Sequence, residues 1–182
     1  MTTTGPFASA EEFSELTGLQ ADRARIQAHL SAASDLVRGY TGQTISRVLA
    51  EVEVLEKTDS DRLLLSERPV TAISTLVVNG VTQGSTTYTV TRWGLVVRVS
   101  GQPWNLGATV TYDHGLLETD WEWGVVRSVT MDVAARSLSL NERSASEAMG
   151  SSLMETAGYS PETFLTEGEK ARLSIFGPEM LG

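Results

Sequence analysis

The chain has 182 residues, 41% apolar content, no cysteine and a formal net charge of −9. That length supports one domain with a real core, or one domain with an extension. The missing cysteines exclude disulfides, thiolate nucleophiles and cysteine-bound metals, and the acidic balance excludes a basic footprint for gripping phosphates.

No apolar run reaches the length of a membrane span. Met1 to Pro6 lacks the basic and apolar parts of a signal peptide, so a cytoplasmic chain is expected. Residues 142–182 hold seven acidic and three basic side chains, so the negative charge extends into the C-terminal stretch.

The first predicted element is a short helix ending near Leu16, opened by the capping-box pair Ser9 and Glu12 and stopped by Gly18. A long helix follows over about Ala21 to Tyr40. Its apolar positions Ile26, Leu30, Ala33, Val37 and Tyr40 are spaced four, three, four and three, which makes one stripe. Arg23, Gln27 and Arg38 are assigned to the opposite face, and Gly42 is the stop.

The period then changes to two. Glu51 to Glu56 alternates as a half-buried strand does. Arg62 to Leu65 is a short apolar run, and Ile73 to Val78 leads into Asn79-Gly80, a strong hairpin signal. Thr86–Val90, Leu95–Val99 and Ala108–Tyr112 complete a β-branched, glycine-punctuated region. The expectation is a compact antiparallel sheet, open or closed into a small barrel.

Helix returns after Trp121-Glu122-Trp123, with Val126, Val129, Val133, Ser137 and Leu140 on one face, and it is expected to pack against the Ile26–Tyr40 stripe. Asn141 to Ser160, rich in Ser, Gly and Met, reads as a tether with room for a helical piece at 145–154. The last predicted element, Leu165 to Phe176, is a short helix capped by Thr166 and Glu169 and stopped by Gly177-Pro178. A helix this short is unstable alone in water, so it must dock on something, either the body of its own chain or a neighbouring chain. Its apolar residues Leu165, Leu173, Ile175 and Phe176 are the expected contacts to a partner or a neighbouring subunit.

The fold class expected is α+β: a small helical bundle, an inserted antiparallel β region, and an extended C-terminal tail ending in a short helix. The expected division is a core over 1–141 (helices 9–41 and 121–141, β insertion 50–115) and a docking extension over 142–182.

Four local groups invite a chemical reading. Asp113-His114-Gly115 offers proton-transfer groups, but no serine in a nucleophile-elbow context accompanies them, so a strand end with Gly115 in a left-handed conformation is preferred. Asp59-Ser60-Asp61 opens like a calcium loop, yet the downstream Gly and Glu are missing. Trp121-Glu122-Trp123 sets a carboxylate between two indoles, as sugar-binding proteins and glycosidases do, without a second placed carboxylate. The two histidines, His29 and His114, are too few for a histidine-based metal site. No phosphate-binding glycine loop is present. The residues therefore yield no catalytic centre, no metal site and no cofactor.

The order of phrases resembles the head–tail connector adaptors of long-tailed double-stranded DNA bacteriophages. Ala8 to Gly18 is similar to that family's opening helix, and Ala32 to Gly42 to the phrase that ends its long helix. Glu67-Arg68-Pro69-Val70-Thr71-Ala72-Ile73 and Val110 to Gly115 match two phrases of its sheet, and Leu165 to Phe176 resembles its terminal helix. Thr119-Asp120 departs from the pattern, since many relatives carry a proline before the last core helix. The resemblance implies a non-enzymatic virion protein of the neck, assembled in the host cytoplasm. It implies a homo-oligomeric ring, usually of twelve copies, below the portal protein, with a stopper or tail-completion protein docked beneath. Double-stranded DNA would pass through the lumen without specific binding. A stopper or tail-completion protein is the nearest alternative. A carbohydrate-binding module or glycosidase-like domain, built on the β region and its tryptophans, is the alternative from another class.

Overall fold

The computed structural model describes residues 5–19, 21–56, 59–105, 107–150 and 164–176, with side chains of the long third helix described up to Leu140. The chain divides into two compact units, Met1–Gly42 with Trp121–Ile175, and Gln43–Asp120 with Phe176–Gly182. The α+β class expected from the sequence is what the fold shows.

The first unit is helical. α1 (Ala10–Thr17) begins at a capping box in which Ser9 accepts from the Glu12 N–H and the Glu12 carboxylate accepts from the Ser9 N–H. Gly18 closes it in the left-handed region at φ 68°. α2 (Arg23–Thr41) buries Ile26, Leu30, Ala33 and Val37, as the spacing predicts. Two expectations for this helix fail. Tyr40 leaves the stripe and is 46% exposed. Arg38 belongs to a packed surface, its guanidinium 4.3 Å from the centre of the Phe7 ring and donating to the Asp35 carboxylate. An arginine stem covers apolar surface well while its head stays polar, which a binary pattern does not register.

α3 (Trp121–Gly150) packs on α2 and runs well past the expected end of the helical core. The described part of the expected helical piece, 145–150, is helical, and it is continuous with α3 through 141–144, part of the expected tether; Ala145, Glu147, Ala148 and Met149 are good helix formers. The rest of the expected tether lies outside the described residues. The buried side chains described on α3 are Glu122, Val126, Val129, Thr130, Val133, Ala134 and Leu138, whereas Leu140 is 38% exposed. The apolar face thus advances around the helix, as a 3.6-residue period requires.

α4 (Glu167–Leu173) starts at the predicted capping box of Thr166 and Glu169 and ends in a 3-10 turn at Ser174–Phe176. Gly177-Pro178 lies outside the described residues. α4 docks on α3, with Arg136 donating to both carboxylate oxygens of Glu169 at 2.9 and 3.0 Å and Arg172 donating to Asp132 at 2.9 Å.

The second unit is antiparallel β. One sheet has the order β1 (Val48–Leu55), β7 (Ala108–His114), β3 (Val70–Val78), β4 (Val81–Thr82). The other has the order β2 (Arg62–Leu64), β6 (Leu95–Arg98), β5 (Tyr88–Val90). Asn79 and Gly80, both at positive φ, form the predicted turn between β3 and β4. Leu63, Leu65, Leu76, Val96, Trp104, Val110 and Tyr112 belong to one shared core. Trp104 satisfies its indole N–H on the Asp61 carbonyl at 2.8 Å.

Candidate functional site

β1 is the element whose side chains depart most from expectation. An alternating strand is expected to turn its apolar residues inward. Here Val52 and Val54 are 61% and 76% exposed, while Glu51, Glu53 and Leu55 share the face of the buried β7 residues. The cause is local. A bulge between Val48 and Glu51 inserts one extra residue against β7, with Ala50 in the left-handed region at φ 53°. One inserted residue moves every following side chain to the other face. The Asp113 carboxylate fixes the bulge by accepting from the Ala50 N–H at 2.8 Å.

The inward carboxylates are both satisfied. Glu53 accepts from the Tyr112 hydroxyl at 2.8 Å and from the Ser66 N–H and hydroxyl. Burial, reinforced by that bond to Glu53, pushes the Tyr112 phenol well above its ordinary range. Glu51 lies 2.8 Å from Nε2 of His114, a fully buried imidazole. Gly115 then turns the chain at φ 89°, and a Cβ there would collide with the Ser46 carbonyl oxygen. Asp113-His114-Gly115 is therefore a structural strand end, with its imidazole shut away from any substrate.

At its centre the outward face that results carries only valine and threonine on three strands. Val52 pairs with Thr111 and Val54 with Thr109, and on the far side of β7 stand Thr75 and Val77. Sequence reasoning missed this face. The signal available was the spacing of Tyr112 and His114, two polar groups at alternate positions like Glu51 and Glu53, which they reach diagonally across the ladder.

Beyond the opposite end of β1 lies a cavity of about 500 Å³ lined by Arg47, Pro69, Val90, Arg92, Leu117 and Asp120, among others. Arg47 is exposed and makes no ion pair among the described residues. Asp120 is already engaged, accepting from the Leu117 N–H at 2.8 Å.

The expected C-terminal contacts are placed as follows. Leu165, Leu173 and Phe176 are 6%, 1% and 4% exposed, buried within the chain itself, and Ile175 is half-buried. Docked in this way, they present little to another protein. What stays open beside α4 is Phe164, 61% exposed, at a hollow of about 410 Å³ that Leu36 and Tyr40 also line. Burial by itself disfavours the charged Glu169 carboxylate; its bonds to Arg136 and Thr166 prevail and hold its pKa below the ordinary value.

The remaining candidates separate. Trp121 is 65% exposed, whereas Trp123 packs edge-on against Phe7 with ring centroids 5.5 Å apart. Two residues apart on a helix, the indoles point about 200° away from each other and form no sugar platform. His29 bonds to the Ser137 hydroxyl at 3.0 Å, and burial, with the Arg25 charge second, lowers its pKa. Among the described residues no cluster of three or more His, Asp or Glu is placed to hold a metal, and no helix is long and apolar enough to cross a membrane.

The fold is similar to that of chains from gene transfer agent particles. One chain from the neck of an empty GTA particle, computed with C6 symmetry, superposes with a TM-score of 0.50 at 14% identity, over 96% of this chain and 92% of that one. A chain from the virion of a native gene transfer agent particle superposes with a TM-score of 0.51 at 12% identity over the same shares. A chain from the neck of the native particle, computed with C12 symmetry, gives a TM-score of 0.52 at 12% identity, again over 96% and 92%. At such identities the likeness is one of fold. No protein-family model matches the chain, and no curated protein matches it.

Proposed function

We propose that this chain is a structural subunit of the neck of a phage-like particle. More specifically, it acts as a head-to-tail adaptor: copies form a ring below the portal, DNA passes through the centre, and a stopper or tail-completion protein docks beneath. The observation that carries this reading is the near full-length fold likeness to chains of symmetric necks. The surface supports it. A ring subunit needs two different complementary surfaces, and an exposed sheet face that presents Val52 and Val54 suits one of them. A net charge of −9 suits a lumen along which DNA slides without being held. In this reading Leu165, Leu173, Ile175 and Phe176 reach the portal or a neighbouring subunit only after the C-terminal helix leaves its own-chain position.

The test is removal of the chain from a particle-producing strain. Filled heads and free tails that fail to join, with joining restored by the added protein, are the expected result. Joined particles at the normal yield would contradict it. Crosslinking to the portal rather than to the tail-tube protein distinguishes an adaptor from a stopper.

A further inference from the structure

Two features of the β unit fit each other. β1 presents Val52 and Val54 outward, and Glu56, next on the same face, is exposed and makes no ion pair among the described residues. At the other end of that strand Arg47 rims the cavity whose apolar walls include Val90 and Leu117, 39% and 43% exposed. One surface is apolar with a terminal carboxylate; the other is an apolar hollow with a guanidinium at its rim. They stand roughly 30 Å apart along one extended strand, too far for Glu56 and Arg47 to meet within one copy.

We propose that these are the two sides of the contact between copies in the ring: Val54 of one copy enters the hollow between Val90 and Leu117 of the next, and Glu56 pairs with the next copy's Arg47. The inference rests on the neck-ring reading above. The surfaces differ, so the contact is heterologous, and repetition by rotation closes a ring. The charge arrangement selects a second copy over DNA. Asp120 shares the cavity with Arg47 and Arg92, which weakens it as a phosphate site, and the opposite surface presents Val52, Val54 and the Glu56 carboxylate. Between chains of net charge −9, an apolar patch with one complementary pair also limits like-charge repulsion.

The experiment is native mass spectrometry of the full-length chain, wild type against Glu56→Arg, Arg47→Glu and the double variant. All are exposed positions, and folding is controlled by circular dichroism. Each single reversal sets like charges together and is expected to lower the assembled fraction at least ~10-fold. The double variant restores it. Val54→Asp, with Glu56 and Arg47 intact, is expected to abolish assembly. Single variants that assemble like the wild type overturn this contact and leave the ring standing. A wild-type chain that stays monomeric at every concentration overturns the ring and the contact together. Binding of a double-stranded DNA oligomer by wild type, lost in Arg47→Glu, would assign the cavity to phosphate instead and overturn the proposal.

Discussion

β1 and β7 lie side by side, antiparallel, yet they treat the same residue types oppositely. β7 buries Ala108, Val110, Tyr112 and His114 and turns Thr109 and Thr111 outward, as a half-buried strand should. β1 turns glutamates inward and valines outward. The difference teaches that the face a strand buries is set by what its partner offers as well as by hydrophobicity. β7 presents a phenol and an imidazole nitrogen under the sheet, and carboxylates partner the Tyr112 hydroxyl and His114 Nε2 where valines could not. The apolar residues displaced outward are then available to another chain.

Breaking the corner where the two strands are joined to the rest of the unit should have the largest effect. Gly115→Ala combines a positive φ with a collision against the Ser46 carbonyl, and a loss of about 3 kcal/mol or more is expected in urea unfolding. Glu53→Ala comes next. It strips Tyr112 and Ser66 of their acceptor, at an expected cost of about 1–3 kcal/mol, and stability within error of wild type would show that the inward carboxylate is idle. A matched pair then sharpens the comparison. Val110→Thr buries a hydroxyl and should cost about 1–3 kcal/mol, whereas Val54→Thr on the open face should stay within about 0.5 kcal/mol. Equal losses would mean that the outward face is not open.

The smallest effect concerns the helical unit. The Glu169 pKa is held below 4.5 in the folded chain. A carboxylate with a depressed folded pKa contributes stability that is present above its unfolded pKa and lost as pH falls through the folded value. Hydrogen-exchange protection of Glu167–Leu173 should therefore be retained at pH 6 and decline once the pH passes below 4.5, ahead of the rest of the unit. Arg136→Gln should weaken that protection already at neutral pH.

Much of the helical unit was legible because its signals are local. Two capping boxes, two left-handed glycine stops and the Ile26–Val37 stripe each follow from spacing alone. Asn79-Gly80 placed its turn for the same reason. The phase of β1 was not legible, because it depends on a single bulge at Leu49–Ala50 and on partners some sixty residues away. The packing of Arg38 on Phe7 was missed because a charged residue was assigned to solvent by type. The burial of Leu165, Leu173 and Phe176 was hidden for a related reason: the sequence shows that the terminal helix must dock, and only the fold shows Arg136 and Asp132 waiting on α3.

The proposed role is that of a subunit in the neck of a phage-like particle. Electron cryomicroscopy of purified particles carrying a small tag fused to the chain tests it most directly. Ring-shaped density from the tagged chain at the junction of head and tail, between portal and tail, is the predicted result. Tag density on the capsid shell or the tail tip, or particles with no copy of the chain in the neck, would contradict it.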